Sequence, residues 1–101
     1  MIYCFDLDNT LCITEEGDYV NSVPISERIQ KVNELFEKGH LIKIFTARGS
    51  KTGIDWKELT CLQLEKWNVK HHELILGKPD TDLFVDDKAI HSDSFDWKLE
   101  D

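Results

Sequence analysis

The chain has 101 residues, 41% of them hydrophobic, and its 12 basic and 20 acidic residues give a formal net charge of −8. This length and composition predict one domain, spanning residues 1–101, with a single packed core. The negative charge disfavours nucleic acid and anionic membranes as partners, because both present negative phosphates.

The cysteines and the first residues of the sequence indicate a compartment. Cys4, Cys12 and Cys61 are odd in number and show no CxxC spacing, so neither a disulfide framework nor a zinc ribbon is predicted. No charged and apolar leader precedes the first apolar run, and no run is long enough to span a bilayer. We therefore expect a cytoplasmic protein without a membrane partner.

The first predicted element is a strand that ends in two acids. Residues 2–5 are apolar, as in a buried strand, and Asp6 and Asp8 follow, with Thr10 close behind. Because side chains alternate along a strand, the two carboxylates are expected to project to roughly the same side. Such a pair needs a bound Mg²⁺ or a shared proton, or else it forms an Asp-Asn turn in which the acids bind local amides.

A strand-helix-strand unit is predicted next. Residues 11–23 are polar and suit a small hairpin or flap over the end of the first strand. Pro24 begins a helix whose apolar residues recur at steps of three and four, with Gly39 as its C-terminal stop. Residues 41–45 are a second apolar strand that ends at Thr46, and this order implies a parallel pair of strands.

The rest of the chain extends the same alternation. The spacing of Asp55 and Glu58 is that of a capping box and predicts a second helix. Short strands are predicted at residues 73–76 and 83–85, and residues 95–97 form either a last short strand or a docked arm. The order of elements predicts an open α/β sheet, in which ligands bind outside the carboxyl ends of the strands.

Polar residues stand at or just beyond each predicted strand end, and they match the needs of phosphoryl transfer. An aspartate at position 6 can attack phosphorus and form an aspartyl-phosphate, while Asp8 can serve as general acid and then as general base. Thr46 and Lys78 can donate hydrogen bonds to phosphate oxygens. Asp86, together with Asp87, can complete an oxygen shell for Mg²⁺.

These residues resemble the four motifs of the haloacid dehalogenase (HAD) superfamily, in the same order. The motifs are Asp6-Leu7-Asp8-Asn9-Thr10, Thr46, Lys78 and Val85-Asp86-Asp87. Because the second acid of the first motif is Asp8, the pattern is similar to the phosphatase branch of the superfamily. The resemblance implies a Rossmann-like three-layer α/β fold with a mainly parallel sheet.

The resemblance also implies the chemistry. It assigns Mg²⁺ to the Asp6 carboxylate, the Asp8 backbone carbonyl and Asp86, with Asp87 in support, and it implies hydrolysis of a small phosphomonoester. Residues 45–56 and 77–79 further resemble small HAD proteins of surface-polysaccharide biosynthesis, which makes a sugar or capsule precursor the expected substrate. Its expected contacts are Asn9, Ala47 and Arg48.

The intervals between the motifs leave no room for a cap domain. Residues 11–45 and 47–77 are consumed by the predicted flap, helices, loop and strands. A site without a cap admits water, so we expect either a bulky substrate or a homo-oligomer in which a second subunit supplies the lid.

Three other functions account for part of this residue pattern. A receiver-like signalling module also places acids, a threonine and Lys-Pro at strand ends, although it would carry its adjacent acid pair first. A nucleic-acid end phosphatase of the same fold is opposed by the net charge. A degenerate binding protein is opposed by the presence of every catalytic residue type.

Overall fold

The computed structural model describes residues 1–100, which form two helices and a parallel sheet. In chain order the elements are β1 (Ile2–Asp6), β2 (Cys12–Ile13), β3 (Val23–Pro24), α1 (Ser26–Glu37), β4 (Leu41–Thr46), α2 (Lys57–Lys66) and β5 (Glu73–Leu76). The sheet has the order β1-β4-β5, and β2 and β3 form a separate antiparallel hairpin. None of the helices in this part of the chain is long and apolar enough to cross a membrane.

Both helices pack on the same face of the sheet. The sheet grows in one direction, from β1 to β4 to β5, and right-handed crossovers in one direction place successive helices on one side. On that side Ile42 and Ile44 of β4 are fully buried and share one core with Val32 of α1 and Leu64 of α2. The prediction of an α/β domain with parallel strands is confirmed. The predicted third layer, which would place helices on the opposite face of the sheet, is not found in residues 1–100.

The opposite face of the sheet carries no helix in the described chain. Ile2 and Leu41 on this face are 66% and 37% exposed, and Lys43 forms a salt bridge of 3.7 Å with Glu73. Residues 77–100, which follow β5, contain one short 3₁₀ turn at Ser92–Ser94 and no α-helix that could cover this face.

The predicted strand at residues 83–85 is wrong. Leu83, Phe84 and Val85 lie in irregular structure and are 75%, 48% and 91% exposed. An apolar run of three residues between Asp82 and Asp86 buries too little surface to offset the entropy of ordering a strand.

The element boundaries follow local chemistry. Pro24 does not begin the helix as predicted, because it pairs with Cys12 in the hairpin, where an edge strand tolerates a missing N–H. Helix α1 begins at Ser26 and ends before Gly39, whose φ of +90° is the left-handed conformation of a helix stop. Asp55 accepts a hydrogen bond of 3.0 Å from the N–H of Lys57 at the start of α2.

The C-terminal tail is a docked arm and forms no strand. The rings of Phe95 and Trp97 lie 5.7 and 5.8 Å from that of Phe5. The Arg28 guanidinium lies 4.8 Å from the Trp97 ring, and Lys31 donates a hydrogen bond of 2.8 Å to the Lys98 carbonyl. Phe95 and Trp97 are therefore packed within the chain.

Candidate active site

A cleft of about 250 Å³ opens where the carboxyl ends of β1 and β4 meet the β2-β3 hairpin. Six of the residues predicted from the sequence line it: Asp6, Asp8, Asn9, Ala47, Arg48 and Lys78. The parallel pairing of β1 with β4 and of β4 with β5 brings these distant parts of the chain to one edge.

Asp6 lies at the end of β1 and faces a lysine. Lys78 Nζ is 3.3 Å from Asp6 Oδ1, and Thr10 donates a hydrogen bond of 3.2 Å to Asp6 Oδ2. The Lys78 backbone is fixed on both sides, because its N–H donates to Thr46 and its carbonyl accepts from the Ser50 hydroxyl. The Asp6 and Lys78 side chains are 34% and 21% exposed, so a small anion can reach both groups.

Asp8 is held by Arg48. Arg48 Nε donates to Asp8 Oδ2 at 3.0 Å, and Nη2 donates to Oδ1 at 2.8 Å. Thr14 of the hairpin region also donates to Oδ1, at 2.6 Å. The Asp8 side chain keeps 20% of its surface exposed towards the cleft.

The Arg48 guanidinium is not free to bind a substrate. Arg48 is 2% exposed, and Nη1 donates to Thr60 at 3.1 Å and to Gln63 at 2.5 Å. The Tyr19 ring lies 4.8 Å from the guanidinium carbon. All three nitrogens therefore donate within the protein. This arrangement leaves no free guanidinium donor for the substrate contact that was expected of Arg48.

Thr46 does not reach the cleft. Its side chain is fully buried on the helix-covered face, and Oγ1 accepts a hydrogen bond of 3.1 Å from the N–H of Arg48. Alternation along β4 places Thr46 on the side of Ile42 and Ile44, whereas Asp6 projects to the other side of the sheet. The expected donation from Thr46 to a phosphate is not supported by this geometry.

Asn9 and Ala47 line the cleft in different ways. Asn9 has a φ of +61°, a left-handed conformation that asparagine tolerates, and its Oδ1 accepts a hydrogen bond of 3.2 Å from the Thr14 N–H. Asn9 therefore shapes the turn after β1. Ala47 contributes to the wall directly after β4.

Asp86 and Asp87 are not assembled with Asp6 and Asp8. Both lie in the exposed segment 79–91, and hydrogen bonds with Asp87 and with the N–H of Lys88 lower the pKa of Asp86. Across residues 1–100, no three acidic, histidine or cysteine side chains lie together as metal ligands. The carboxylates as they lie do not fit the expected Mg²⁺ shell, because the strand that would carry Asp86 to the sheet edge is missing.

Four residues that build the site were not predicted from the sequence. Thr14 and Tyr19 come from the flap, and Thr60 and Gln63 come from α2. Thr60 and Gln63 stand three residues apart on the buried side of α2, and buried polar side chains require partners. Their burial is evident only in the structure, so the sequence carries no signal that singles them out. In the flap, burial raises the pKa of the Tyr19 hydroxyl.

Comparison with known proteins adds a fold likeness. No family model matches the chain, and no curated protein matches it. A crystal structure of an MCSG target from Vibrio cholerae is similar, with 28% identity over 91% of this chain and 84% of that chain and a TM-score of 0.82. That protein carries no functional name, so the likeness supports the α/β architecture and is silent on activity.

Proposed function

We propose that the chain is a HAD-type phosphatase that hydrolyses a small phosphomonoester through an aspartyl-phosphate on Asp6. The observation that carries this proposal is the juxtaposition of Asp6 Oδ1 with Lys78 Nζ at 3.3 Å, beside Asp8, in an open cleft. A sugar phosphate or a polysaccharide precursor is the proposed substrate, on the basis of the sequence resemblance.

The first half of the reaction uses Asp6 and Lys78. A carboxylate oxygen of Asp6 attacks phosphorus, the bond from phosphorus to the ester oxygen breaks, and the phosphoryl group is transferred to Asp6. Lys78 is close enough to bind an oxygen of the transferring group. Its charge stabilises the developing negative charge more strongly in a partly dry cleft than in water.

Asp8 moves the protons in both halves of the reaction. In the first half the protonated side chain of Asp8 gives its proton to the departing alkoxide and becomes the carboxylate that pairs with Arg48. In the second half this carboxylate takes a proton from water as that water attacks the phosphorus of the aspartyl-phosphate, which restores the protonated form. The bond from phosphorus to Asp6 then breaks, which regenerates the carboxylate and releases inorganic phosphate. The exposed side of the Asp8 carboxylate faces the cleft in which these steps would occur.

Magnesium remains a separate proposal. It rests on the sequence pattern of Asp6, Asp8, Asp86 and Asp87, since the described side chains do not assemble three ligands. Oxygen ligands of this kind suit Mg²⁺.

The surroundings of the site bear on the proposed partners. The cleft is covered by the hairpin region on one side only, and no cap domain is present in residues 1–100. We propose that a second copy of the chain supplies the missing cover. A reducing, cytoplasmic setting is proposed for the three cysteines, which are all free thiols in the described chain.

The test is phosphate release from a panel of sugar, polyol, amino-alcohol and nucleotide monophosphates, measured with and without Mg²⁺. We expect at least one substrate to be turned over, and we expect Asp6→Ala to abolish that turnover while the circular dichroism spectrum is retained. Asp82→Ala, which removes an exposed acid, serves as the matched control and should keep full activity.

The covalent intermediate separates this proposal from a signalling module. With a substrate that carries ³²P in its phosphoryl group, acid quenching during turnover should trap a labelled peptide that contains Asp6. In a single-turnover experiment the label should leave that peptide as inorganic phosphate. Retained hydrolysis in Asp6→Ala would contradict the mechanism. A phosphoaspartate that persists without phosphate release would favour the receiver-like alternative.

A further inference from the structure

Arg48 is a buried cation whose hydrogen-bonding capacity is used entirely within the protein. It is 2% exposed, and its three guanidinium nitrogens donate to Asp8, Ser22, Thr60 and Gln63. Burying a charge is costly unless it is paired and hydrogen-bonded. The fold therefore places this arginine against one defined anion, and that anion is Asp8.

The guanidinium is fixed from the side opposite Asp8. Thr60 and Gln63 of α2 accept from Nη1, and Gln63 is itself held because its Nε2 donates to the Tyr19 carbonyl at 2.6 Å. The backbone leading to Arg48 is fixed as well, since its N–H donates to the buried Thr46. The plane of the guanidinium is thus set by the helix and the strand before it contacts Asp8.

The orientation of the Asp8 carboxylate depends on this plane. Oδ2 accepts from Arg48 Nε at 3.0 Å, and Oδ1 accepts from Arg48 Nη2 at 2.8 Å. Thr14 contacts Oδ1 alone, and so does the Cys12 thiol at 3.6 Å. Two parallel contacts to a planar fork fix the rotation of a carboxylate, which a contact to one oxygen cannot do.

We infer that Arg48 is a positioning residue for Asp8: it holds the carboxylate in the orientation in which Asp8 exchanges protons with the leaving group and with water. This inference rests on the proposed phosphatase function. It also replaces the role expected of Arg48 from the sequence, which was contact with the substrate.

A leaving-group comparison isolates this role. An alkyl phosphate releases a strongly basic alkoxide and needs a proton from the general acid, whereas p-nitrophenyl phosphate releases a stable anion that does not. A general defect in folding or phosphate binding lowers the rates on both substrates equally. Misplacement of Asp8 lowers the rate of phosphoryl transfer to Asp6 selectively for the alkyl phosphate.

The first variant is Arg48→Lys, which keeps the charge and removes the two-pronged contact. With glycerol 3-phosphate we expect kcat/KM, which reports the transfer of the phosphoryl group to Asp6, to fall on the order of 10²-fold, the loss typical of misplacing a reacting group by about 1 Å. With p-nitrophenyl phosphate we expect kcat/KM to fall by less than about threefold, since this transfer needs no general acid. The later attack of water needs Asp8 with both substrates and does not enter kcat/KM. Asp8→Asn should show the same selectivity, and the double variant should lose no more than Asp8→Asn alone.

Arg28→Lys is the matched control. Arg28, the other arginine of the chain, is also bound within the protein, where it donates to the Thr10 carbonyl and contacts Asp93 and the Trp97 ring. An effect passed through Thr10 to Asp6 would lower the rates on both substrates. The replacement of Arg28 should leave the ratio of the two rates unchanged. If Arg48→Lys fails to fold, Thr60→Val removes one anchor of the guanidinium without altering Arg48, and a selective loss on the order of tenfold is expected.

The outcomes are distinct. Equal losses on both substrates, no loss at all, or additive losses in the double variant would overturn the inference while leaving the phosphatase intact. A wild-type protein that hydrolyses neither substrate nor any member of the panel would overturn the proposed function, and the positioning role with it.

Discussion

Asp8 and Asp86 lie in surroundings of opposite character. The Asp8 carboxylate is bound by Arg48, forty positions further along the chain, and Arg48 is anchored in turn by α2. Asp86 accepts a hydrogen bond from the N–H of Lys88, two positions away, in a segment, 79–91, whose residues are all exposed. Partners from distant elements hold the Asp8 carboxylate in one position at the cleft. Asp86 has hydrogen bonds only to neighbouring residues and remains exposed to solvent.

The largest effect should separate Lys78 from Lys88, two lysines that follow β5. Lys78→Ala removes the cation beside Asp6, and we expect kcat/KM for the best panel substrate to fall on the order of 10² to 10³-fold, as for other donors to a developing anion. Lys88→Ala, in the exposed segment, should change it by less than about twofold, since exposed charges contribute little. An unchanged rate in Lys78→Ala at saturating substrate would make Lys78 a surface residue.

Two substitutions that shorten apolar side chains test the contrast between the packed sheet and the exposed segment 79–91 by measuring stability. Ile44→Ala empties a fully buried position in β4 and should lower the free energy of unfolding by about 3 kcal/mol in urea denaturation. Val85→Ala, at a position 91% exposed, should lower it by less than about 0.5 kcal/mol. A cost above about 1 kcal/mol for Val85→Ala would show that the segment packs against the domain in solution, and the contrast would break.

Metal binding asks whether Asp86 joins the site when Mg²⁺ is present. If it does, Asp86→Ala should raise the Mg²⁺ concentration needed for half-maximal phosphate release on the order of tenfold. Calorimetric titration of Mg²⁺ gives a second measurement that is independent of turnover. Identical midpoints for Asp86→Ala and the wild-type protein would leave Asp86 a solvated acid.

The smallest effect concerns the tail, which follows the exposed segment and is again held by long-range partners. A hydrogen bond from Lys31 lowers the pKa of Glu34, and the N–H of Glu100 lowers it further. The ionised Glu34 carboxylate therefore stabilises the docked tail at pH values above the ordinary glutamate pKa of about 4.3. This stabilisation is lost as the pH falls through the lower pKa of the folded state.

The Trp97 indole can report whether the tail leaves its docked position at low pH, because its N–H donates to the Ser92 carbonyl at 2.8 Å in the docked tail. We expect the NMR signal of the indole proton to shift towards its free position as the pH falls below about 4.3. In Glu34→Gln the position of the signal should depend less on pH in this range. A wild-type signal that stays constant down to pH about 3 would contradict the role of Glu34.

The sequence allowed the strands that meet long-range partners to be predicted. Residues 2–5 form a continuous apolar run, residues 41–45 are apolar apart from Lys43, and the helix between them has a clear period, so β1, α1 and β4 follow from local patterning. Asp6 and Lys78 also follow, because position at a strand end determines where they lie. The run at 83–85 has the same composition as a strand but no partner, and composition does not reveal partners.

The role of Arg48 could not be predicted for a related reason. A charged residue after a strand is normally at the surface, and only the tertiary arrangement places Thr60 and Gln63 against it. The burial of Thr46 away from the cleft could not be predicted from its position at a strand end, because that position does not show on which face its side chain falls. The register of β4 with β1 determines that face.

The position of β4 in the sheet has a consequence for the order of folding events. Within the described chain β4 is the strand that pairs with two others, through Leu41 to Ile2 and through Lys43 to Glu73. The outer strands β1 and β5 form no ladder with each other, so neither can be ordered in the sheet before β4 is. Each pairing closes a loop of 30 or more residues, which favours slow formation of a nucleus centred on β4 and α1. Substitutions in β4 should therefore slow refolding, whereas those in β5 should mainly accelerate unfolding.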